Sequence, residues 1–516
     1  MKYITKIALI AAFGGFLMGF DVSVISGVVG FIEGEFALSK IELGWSVSSL
    51  VLTATLAMLL AGPLSDRVGR RRVLRIAALL FAVSAIVCAI APSFTILVLG
   101  RMLGGLGVGA ALIIAPMYIA EIAPARDRGR MVSFNQLNIV IGISAAFFSN
   151  YLVLRLGQSG ADWSTALKLG EWAWRWMFGM EILPAVAYFF ALLVVPESPR
   201  WLVMRGRDAE ALDILARFRG PEQAATEHRV IRDSVLTEAG REAASWRDLL
   251  APSMRLVLLI GVSVGILQQI TGINAVFFYA PMIFEQSGIG TNASFVQAAM
   301  LGVINLAFTV VAMLLIDRLG RRPLLGMGLA GVAVCMFMLS YGFGSATYTL
   351  NEDAAARLPA EIDRQQISSI FHVTYQSDVE FRTAVSAAIG PELLNRHQAE
   401  LVGAAISVNP LLILLATLGF VASFAVSLGP IMWVLFSELF PTRVRGMAIS
   451  FVGVINSAVA FFVTFIFPWE LETLGNSATF LIYALFAVAG LGFVMRILPE
   501  TKGRTLEELE ALLVKV

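Results

Sequence analysis

Gly62-Pro-Leu-Ser-Asp66-Arg67-Val-Gly69-Arg70-Arg71 closes one long apolar run, and Asp317-Arg318-Leu-Gly320-Arg321-Arg322 closes another in the second half of the chain. Two further signatures recur in the same order. Glu121-Ile-Ala-Pro124 is followed by Arg128-Gly129, and Glu438-Leu-Phe-Pro441 by Arg445-Gly446 at the same separation. Pro196-Glu197-Ser-Pro-Arg200 is matched by Pro499-Glu500-Thr-Lys502-Gly503-Arg504. A set of signatures that repeats in register marks an internal duplication, which has to be recognised before any motif is read singly.

The repeat unit is apolar. Of 516 residues 58% are hydrophobic and 15% charged, where a soluble domain has about a quarter charged. Charge is also clustered, leaving stretches such as Ile76 to Ala91 and Leu411 to Phe436 without acid or base. Such stretches are transmembrane helices. Twelve segments begin near residues 7, 44, 73, 95, 131 and 173, and near 255, 296, 323, 405, 445 and 475. The expected fold class is therefore all-α integral membrane: twelve transmembrane helices in two six-helix pseudo-repeats with a cytoplasmic helical linker.

Basic residues orient the chain. Arg67, Arg70, Arg71, Arg72 and Arg75 follow the second segment, and Arg126, Arg128 and Arg130 the fourth, which places those loops and both termini in the cytoplasm. The first half spans residues 1–196, the charged linker 197–254, and the second half 255–516. Asp66 and Glu121 are 55 positions apart whereas Asp317 and Glu438 are 121 apart, and the extra 66 form an external insertion at about 345–403. Its eight acids against four arginines leave an acidic excess of four. It reads as helical, and a cap, a lid and a plain spacer all fit it.

Composition excludes several functions. With 38 basic and 37 acidic residues the net charge is +1, so no global field draws nucleic acid. Two cysteines, Cys88 and Cys335, lie in apolar runs, and three scattered histidines show no ligand spacing, so no metal site is expected. No nucleophile with a base and no phosphate loop is visible, which argues against an enzyme. Two parallel six-helix repeats are instead what alternating access needs, with a site between halves that rock against each other. Asp66, Arg67, Arg71, Glu121, Arg128, Glu197 and Arg200 in the first half, and Asp317, Arg318, Arg322, Glu438, Arg445 and Glu500 in the second, form a candidate cytoplasmic gate that pairs across the halves. The plainer reading is that they anchor helix ends at the headgroups.

These residues resemble the sugar porter family of the major facilitator superfamily, which includes bacterial proton-coupled sugar symporters and animal glucose facilitators. The resemblance rests on the paired Asp-Arg-x-Gly-Arg-Arg loops, on PESPRW at 196–201, on PETKGR at 499–504 and on QQITGINAVFFYAP from Gln268 to Pro281. It covers nearly the whole chain. It implies a transporter of a small-molecule sugar, working as a monomer in a bacterial inner membrane, with no cofactor and with the proton as coupling ion.

A sugar needs amides that both donate and accept hydrogen bonds, and such groups are costly in a membrane. Gln136, Gln268, Gln269, Asn274, Asn305 and Asn456 lie in the spans, each also compatible with a purely structural helix–helix contact. The resemblance implies sugar contacts for all of these except Asn456, and for Trp433, which follows Gly429-Pro430, a break read as a hinge. We group Asn456 with them because it is an amide on a further span. Phe278 and Tyr279 stand where the family has aromatics at the external gate. Asp21, within the first span, has to be protonated or paired. The resemblance pairs it with Arg101 as the proton-coupling device, with Glu181 as a second carboxylate. The alternative is a fixed structural ion pair. Ile143, Ala425 and Ser457 give mixed signals on substrate, and we lean towards a hexose over a pentose. The competing functions are a sugar facilitator without proton coupling and a non-transporting sugar sensor.

Overall fold

The computed structural model describes residues 2–124, 127–239, 246–356, 358, 359, 361–441, 443–504 and 508–510. Among them eleven helical stretches are long and apolar enough to cross a bilayer. The first half runs α1 (Lys2–Glu35), α2 (Lys40–Val68), α3 (Arg70–Ala89), α4 (Phe94–Ile122) and α5 (Arg128–Gly157). Its sixth span is divided at Met180 and Glu181 into α6 (Ala173–Gly179) and α7 (Ile182–Ala191), and this is the twelfth crossing. The charged linker forms α8 (Pro199–Met204), α9 (Asp208–Arg219) and α10 (Pro221–Ala239).

The second half opens with a span in three pieces, α11 (Arg255–Ile270), α12 (Ile273–Phe278) and α13 (Ala280–Glu285), followed by α14 (Thr291–Leu319) and α15 (Arg321–Gly344). The insertion then contributes β1 (Thr347–Thr349), β2 (Thr374–Tyr375), α16 (Asp378–Ile389), α17 (Gln398–Ala405) and β3 (Ile406–Ser407). The last spans are α18 (Pro410–Val426) with α19 (Leu428–Leu439), α20 (Arg445–Thr473) and α21 (Gly475–Ile497).

The turn between paired helices shows why the repeated glycines are fixed. Gly69 and Gly320 stand just before α3 and α15 with φ of 100° and 95°, a region that L side chains rarely adopt. A Cβ on Gly69 would also lie 2.3 Å from Glu197 Oε2, and one on Gly320 2.7 Å from Glu500 Oε2. Each glutamate occupies that space because it accepts from the free backbone N–H groups of the helix start, as first-turn donors require. Glu197 accepts from Arg71 N at 3.1 Å, and Glu500 from Arg321 N at 3.0 Å and Arg322 N at 3.1 Å. The motif that ends each half thus caps a helix at that half's centre.

The insertion is helical as expected, with Glu352–Ala355, Arg364–Ile367, α16, Pro391–Arg396 and α17, and it carries a small sheet that was not expected. Its three short strands pair in the order β2-β1-β3, with Tyr348 opposite Tyr375 and Ile406. Tyr348, Leu350, Phe381, Val385 and Leu401 are buried in a core of its own, the first and third rings stacked at 5.8 Å. Arg382 fastens it to the membrane part, donating to the Leu471 and Glu472 carbonyls at 3.0 and 3.1 Å near the C-terminus of α20, where the helix dipole favours a cation.

Two compact units emerge, one of Met1–Val22, Ser49–Ala146 and Phe178–Ser245, the other of Ser23–Ser48, Phe147–Met177 and Trp246–Val516. The first is built on buried Ala11, Leu50, Phe81, Ile114, Tyr118 and Tyr188. The second takes in the ends of α1, α2 and α5 that lie away from the basic loops, so it is larger than the sequence half 255–516. Those ends belong there because aromatic side chains hold them: Trp45 meets Phe461 edge-on at 6.1 Å, and Phe147 meets Phe277 at 6.1 Å.

Gly69→Ala and Gly320→Ala are each expected to destabilise the protein by more than about 1 kcal/mol, read as a lower unfolding temperature in detergent. Gly446→Ala, where a Cβ meets nothing within 4 Å, is expected to leave it unchanged or raised; equal losses at all three would refute the argument.

Candidate functional site

Four of the six amides predicted from sequence converge on the broken span. Gly272, with φ of 88° and ψ of 16°, ends α11 and starts α12, so Gln268, Gln269 and Asn274 face one another across the interruption. Asn274 donates to Gln269 Oε1 at 2.9 Å, and Gln269 to Gln268 Oε1 at 3.1 Å. Asn456 of α20 joins them, donating to Gln268 Oε1 at 2.9 Å and accepting from Gln269 at 3.2 Å. Gln268 in turn donates to the Leu428 carbonyl at 3.1 Å. That carbonyl sits at a second interruption, whose position differs from the one read from Gly429-Pro430. The chain breaks at Ser427, with φ of −127° and ψ of −94°, and α19 already includes both residues.

A network of this kind satisfies its members in a membrane interior while leaving them able to exchange partners with hydroxyls. Trp433, edge-on to Phe436 at 6.0 Å, keeps 40% of its surface exposed. It is therefore not a core residue. Asn305 is buried on α14. Gln136 is half-buried on α5 and belongs to the other unit.

That first unit holds the charged cluster. Arg101 donates from Nη1 to Asp21 Oδ1 at 2.6 Å and to the Asp21 carbonyl at 2.8 Å, with its guanidinium 5.7 Å from the Phe178 ring centre. Both side chains are almost fully buried. Glu181 stands at the break between α6 and α7, also buried. Asp21 Oδ2, Arg101 Nε and Glu181 Oε1 have no hydrogen-bond partner among the described residues. Three buried ionisable groups thus lie in one unit, with one ion pair between them among the described residues.

At the basic end the ion pairs described run within each half. Arg70 binds Asp66 at 2.8 Å and Glu121 at 3.0 Å; Arg321 binds Glu438 at 2.8 Å. Arg71 donates to the Leu193 carbonyl and Arg322 to that of Met495. Burial alone would raise the Glu500 carboxyl, but the backbone N–H groups of Lys502, Arg321, Arg322 and Thr501 outweigh it and hold it below the usual carboxylate range. Arg67, Arg128 and Arg318 are exposed, Arg200 is half-buried, and Arg445 donates to the Phe440 carbonyl at 3.0 Å. The Asp317 side chain lies outside the described residues. Sequence reasoning left out of the gate Arg70, which is buried, and Arg321, which holds Glu438. Their signal was present, as the first arginine after the glycine in both copies.

At the opposite end, Tyr279 donates to the Thr464 carbonyl at 3.2 Å and packs on Phe467, with Phe278 buried beside it. The ring that meets a first-half helix is Phe277, against Phe147. Neighbouring Glu35 accepts from Trp174 Nε1 at 2.6 Å and Arg175 Nη2 at 2.8 Å, tying α1 to α6.

The family model described as "Sugar (and other) transporter" matches residues 7–358 and 387–513. The chain belongs to the sugar porter family of the major facilitator superfamily. Among curated relatives it is 35% identical to the arabinose-proton symporter of Bacillus subtilis, over 100% of this chain and 96% of that protein. It is 34% identical to the D-xylose-proton symporter of Escherichia coli K12, over 99% and 96%. Among solved structures, the xylose transporter XylE from E. coli in an inward open conformation matches with a TM-score of 0.75 at 32% identity, over 99% of this chain and 100% of that one. This sugar porter is an integral membrane transporter and not an enzyme.

Breaking an enclosed ion pair leaves one charge uncompensated and costs about 3 kcal/mol or more. Arg70→Gln and Glu121→Gln are each expected to lower the unfolding temperature, with the double variant losing clearly less than the two single losses added. Arg321→Gln with Glu438→Gln is expected to repeat the pattern; additive losses would mean the pairs are not coupled.

Proposed function

We propose that the protein is a proton-coupled symporter that takes up a monosaccharide by alternating access, with both termini in the cytoplasm of a bacterial cell and the inner membrane as its site. The observation that carries this reading is the cluster of Asp21, Arg101 and Glu181. Two carboxyls share one guanidinium, so the cluster is neutral with one proton bound and carries a net negative charge without it. A net charge in the membrane interior costs about 2.5 kcal/mol or more, so the cluster favours holding one proton while it is closed to water. Movement of α1 against α4 that lengthens the 2.6 Å Asp21–Arg101 contact makes Asp21 a proton acceptor. Asp21 sits on α1 within the same unit as Gln136, so a sugar that draws on α5 can bias that movement.

The amide network supports a neutral, polyhydroxylated substrate. Gln268, Gln269, Asn274 and Asn456 offer donors and acceptors without net charge, Trp433 offers a ring face, and Gln136 and Asn305 supply further amides. No cofactor is required beyond the proton, no nucleic acid is involved, and one chain suffices. The lean towards a hexose gains no support from the relatives named above, whose names give arabinose and xylose. We therefore take a pentose as the first substrate to test. The basic-end pairs steady helix ends within each half and leave Arg67, Arg128 and Arg318 exposed to make contacts as the halves rock.

Purified protein in proteoliposomes is expected to accumulate labelled L-arabinose or D-xylose above equilibrium when the proton gradient is directed inward. Labelled D-glucose and myo-inositol rank the alternatives. Asp21→Asn is expected to abolish uphill accumulation while sugar exchange persists. Accumulation retained by Asp21→Asn would remove the coupling role, and equilibration indifferent to the gradient would make the protein a facilitator.

A further inference from the structure

Beyond the amide site along the same span lies a cavity of about 540 Å³, within the range of about 300–1,000 Å³ usual for small-molecule pockets. The order of residues in the span separates the two. The amides occupy 268–274, the packed aromatics Phe277 and Tyr279 follow, and Pro281 to Gln286 line the cavity. Its other walls are the end of α1, Lys40 at the start of α2, and the insertion's α17. All of these segments lie in one compact unit.

The lining is built for a ligand with mixed hydrogen-bonding demands. Ser26 Oγ and Gln286 Oε1 are buried polar atoms with no partner among the described residues, and Ser26 is 97% buried. Lys40 is buried too, paired with Glu33 and donating to Gln398 Oε1 at 3.1 Å. That contact joins the insertion to the first-half hairpin. Charge on the lining nearly cancels, with Lys40 and Arg396 against Glu33, Glu285 and Glu400, so neither an anion nor a cation is strongly drawn. Gly30, also on the lining, has nothing within 4 Å of where a Cβ would stand. That leaves open space beside α1.

We propose that this cavity is a second, outer binding site for a neutral polyhydroxylated molecule, a sugar or polyol, roofed by the insertion and separated from the amide site by the aromatic layer. Gln286 and Gln398 are its recognition groups. The insertion is then part of a binding site and not a spacer. The inference extends the sugar reading to a second place in the protein, but it does not need the amide site to bind the same molecule.

Equilibrium dialysis of the purified full-length protein with radiolabelled D-xylose, L-arabinose and myo-inositol tests it. Wild type is expected to bind two molecules of at least one probe. Gly30→Phe fills the outer cavity and is expected to leave one, as is Gln269→Ala at the amide site. Gln286→Ala, which adds no bulk, is expected to weaken the outer site about fivefold. The proposal is overturned if wild type binds one molecule that Gln269→Ala abolishes and Gly30→Phe and Gln286→Ala leave alone. If Gly30→Phe abolishes all binding and Gln269→Ala changes none, the outer site stands and the sugar reading of the amide site falls. Absence of binding of all three probes would overturn both.

Discussion

Arg101 places a permanent positive charge in the apolar interior of α4, and the arrangement of the first unit follows from neutralising it. A guanidinium cannot lose its proton there, and water is not at hand to solvate it. Asp21 answers on α1, the Phe178 ring covers the guanidinium, and Glu181 is held nearby by the break between α6 and α7. A single carboxylate would have completed a static pair. The second carboxyl leaves the buried cluster neutral with one proton bound and one charge negative without it, so in the proposed coupling a displacement of helices decides whether that proton is kept.

The same requirement, applied to backbone groups, explains the interruptions in the second unit. Helix breaks expose carbonyls and N–H groups that lipid cannot satisfy. At Ser427 Gln268 donates to the Leu428 carbonyl, and beside Gly272 the Thr271 hydroxyl donates to the Gln268 carbonyl, while the amides close on one another. A site made of groups that satisfy each other is stable when empty and loses little when hydroxyls replace those partners. The outer cavity differs, because beside it Ser26 Oγ and Gln286 Oε1 have no partner among the described residues. At the basic ends the duplicated glutamates serve helix starts, which is why the end of each half is bonded to its middle.

Much of this was legible because the membrane makes the sequence say it. Apolar runs give the spans, the repeat gives the pairing of Gly69 with Gly320 and of Glu197 with Glu500, and a carboxyl in a span has to be protonated or paired, while Arg101 as its partner came from the family resemblance. What escaped has a physical cause in each case. Arg70 and Arg321 were overlooked because loop arginines look interchangeable until burial separates them; Arg70 is enclosed while Arg67 is exposed. Phe277 precedes the Phe278 and Tyr279 singled out, and only helix phase decides which ring reaches Phe147. The break at Ser427 precedes its glycine and proline because the strain of a proline falls on the turn before it. The strands around Tyr348 are two or three residues long, too short for an alternating pattern to register.

The account stands or falls on whether the buried cluster exchanges a proton when sugar binds. Purified protein in weak buffer with a pH-sensitive dye, mixed with its transported sugar, gives that count directly. The account predicts that sugar binding changes the number of bound protons, by at most one per transporter, and that the change disappears in Glu181→Gln or Asp21→Asn. Sugar binding with no proton exchanged across the pH range of transport would contradict it, and would leave Asp21 and Arg101 as a structural pair.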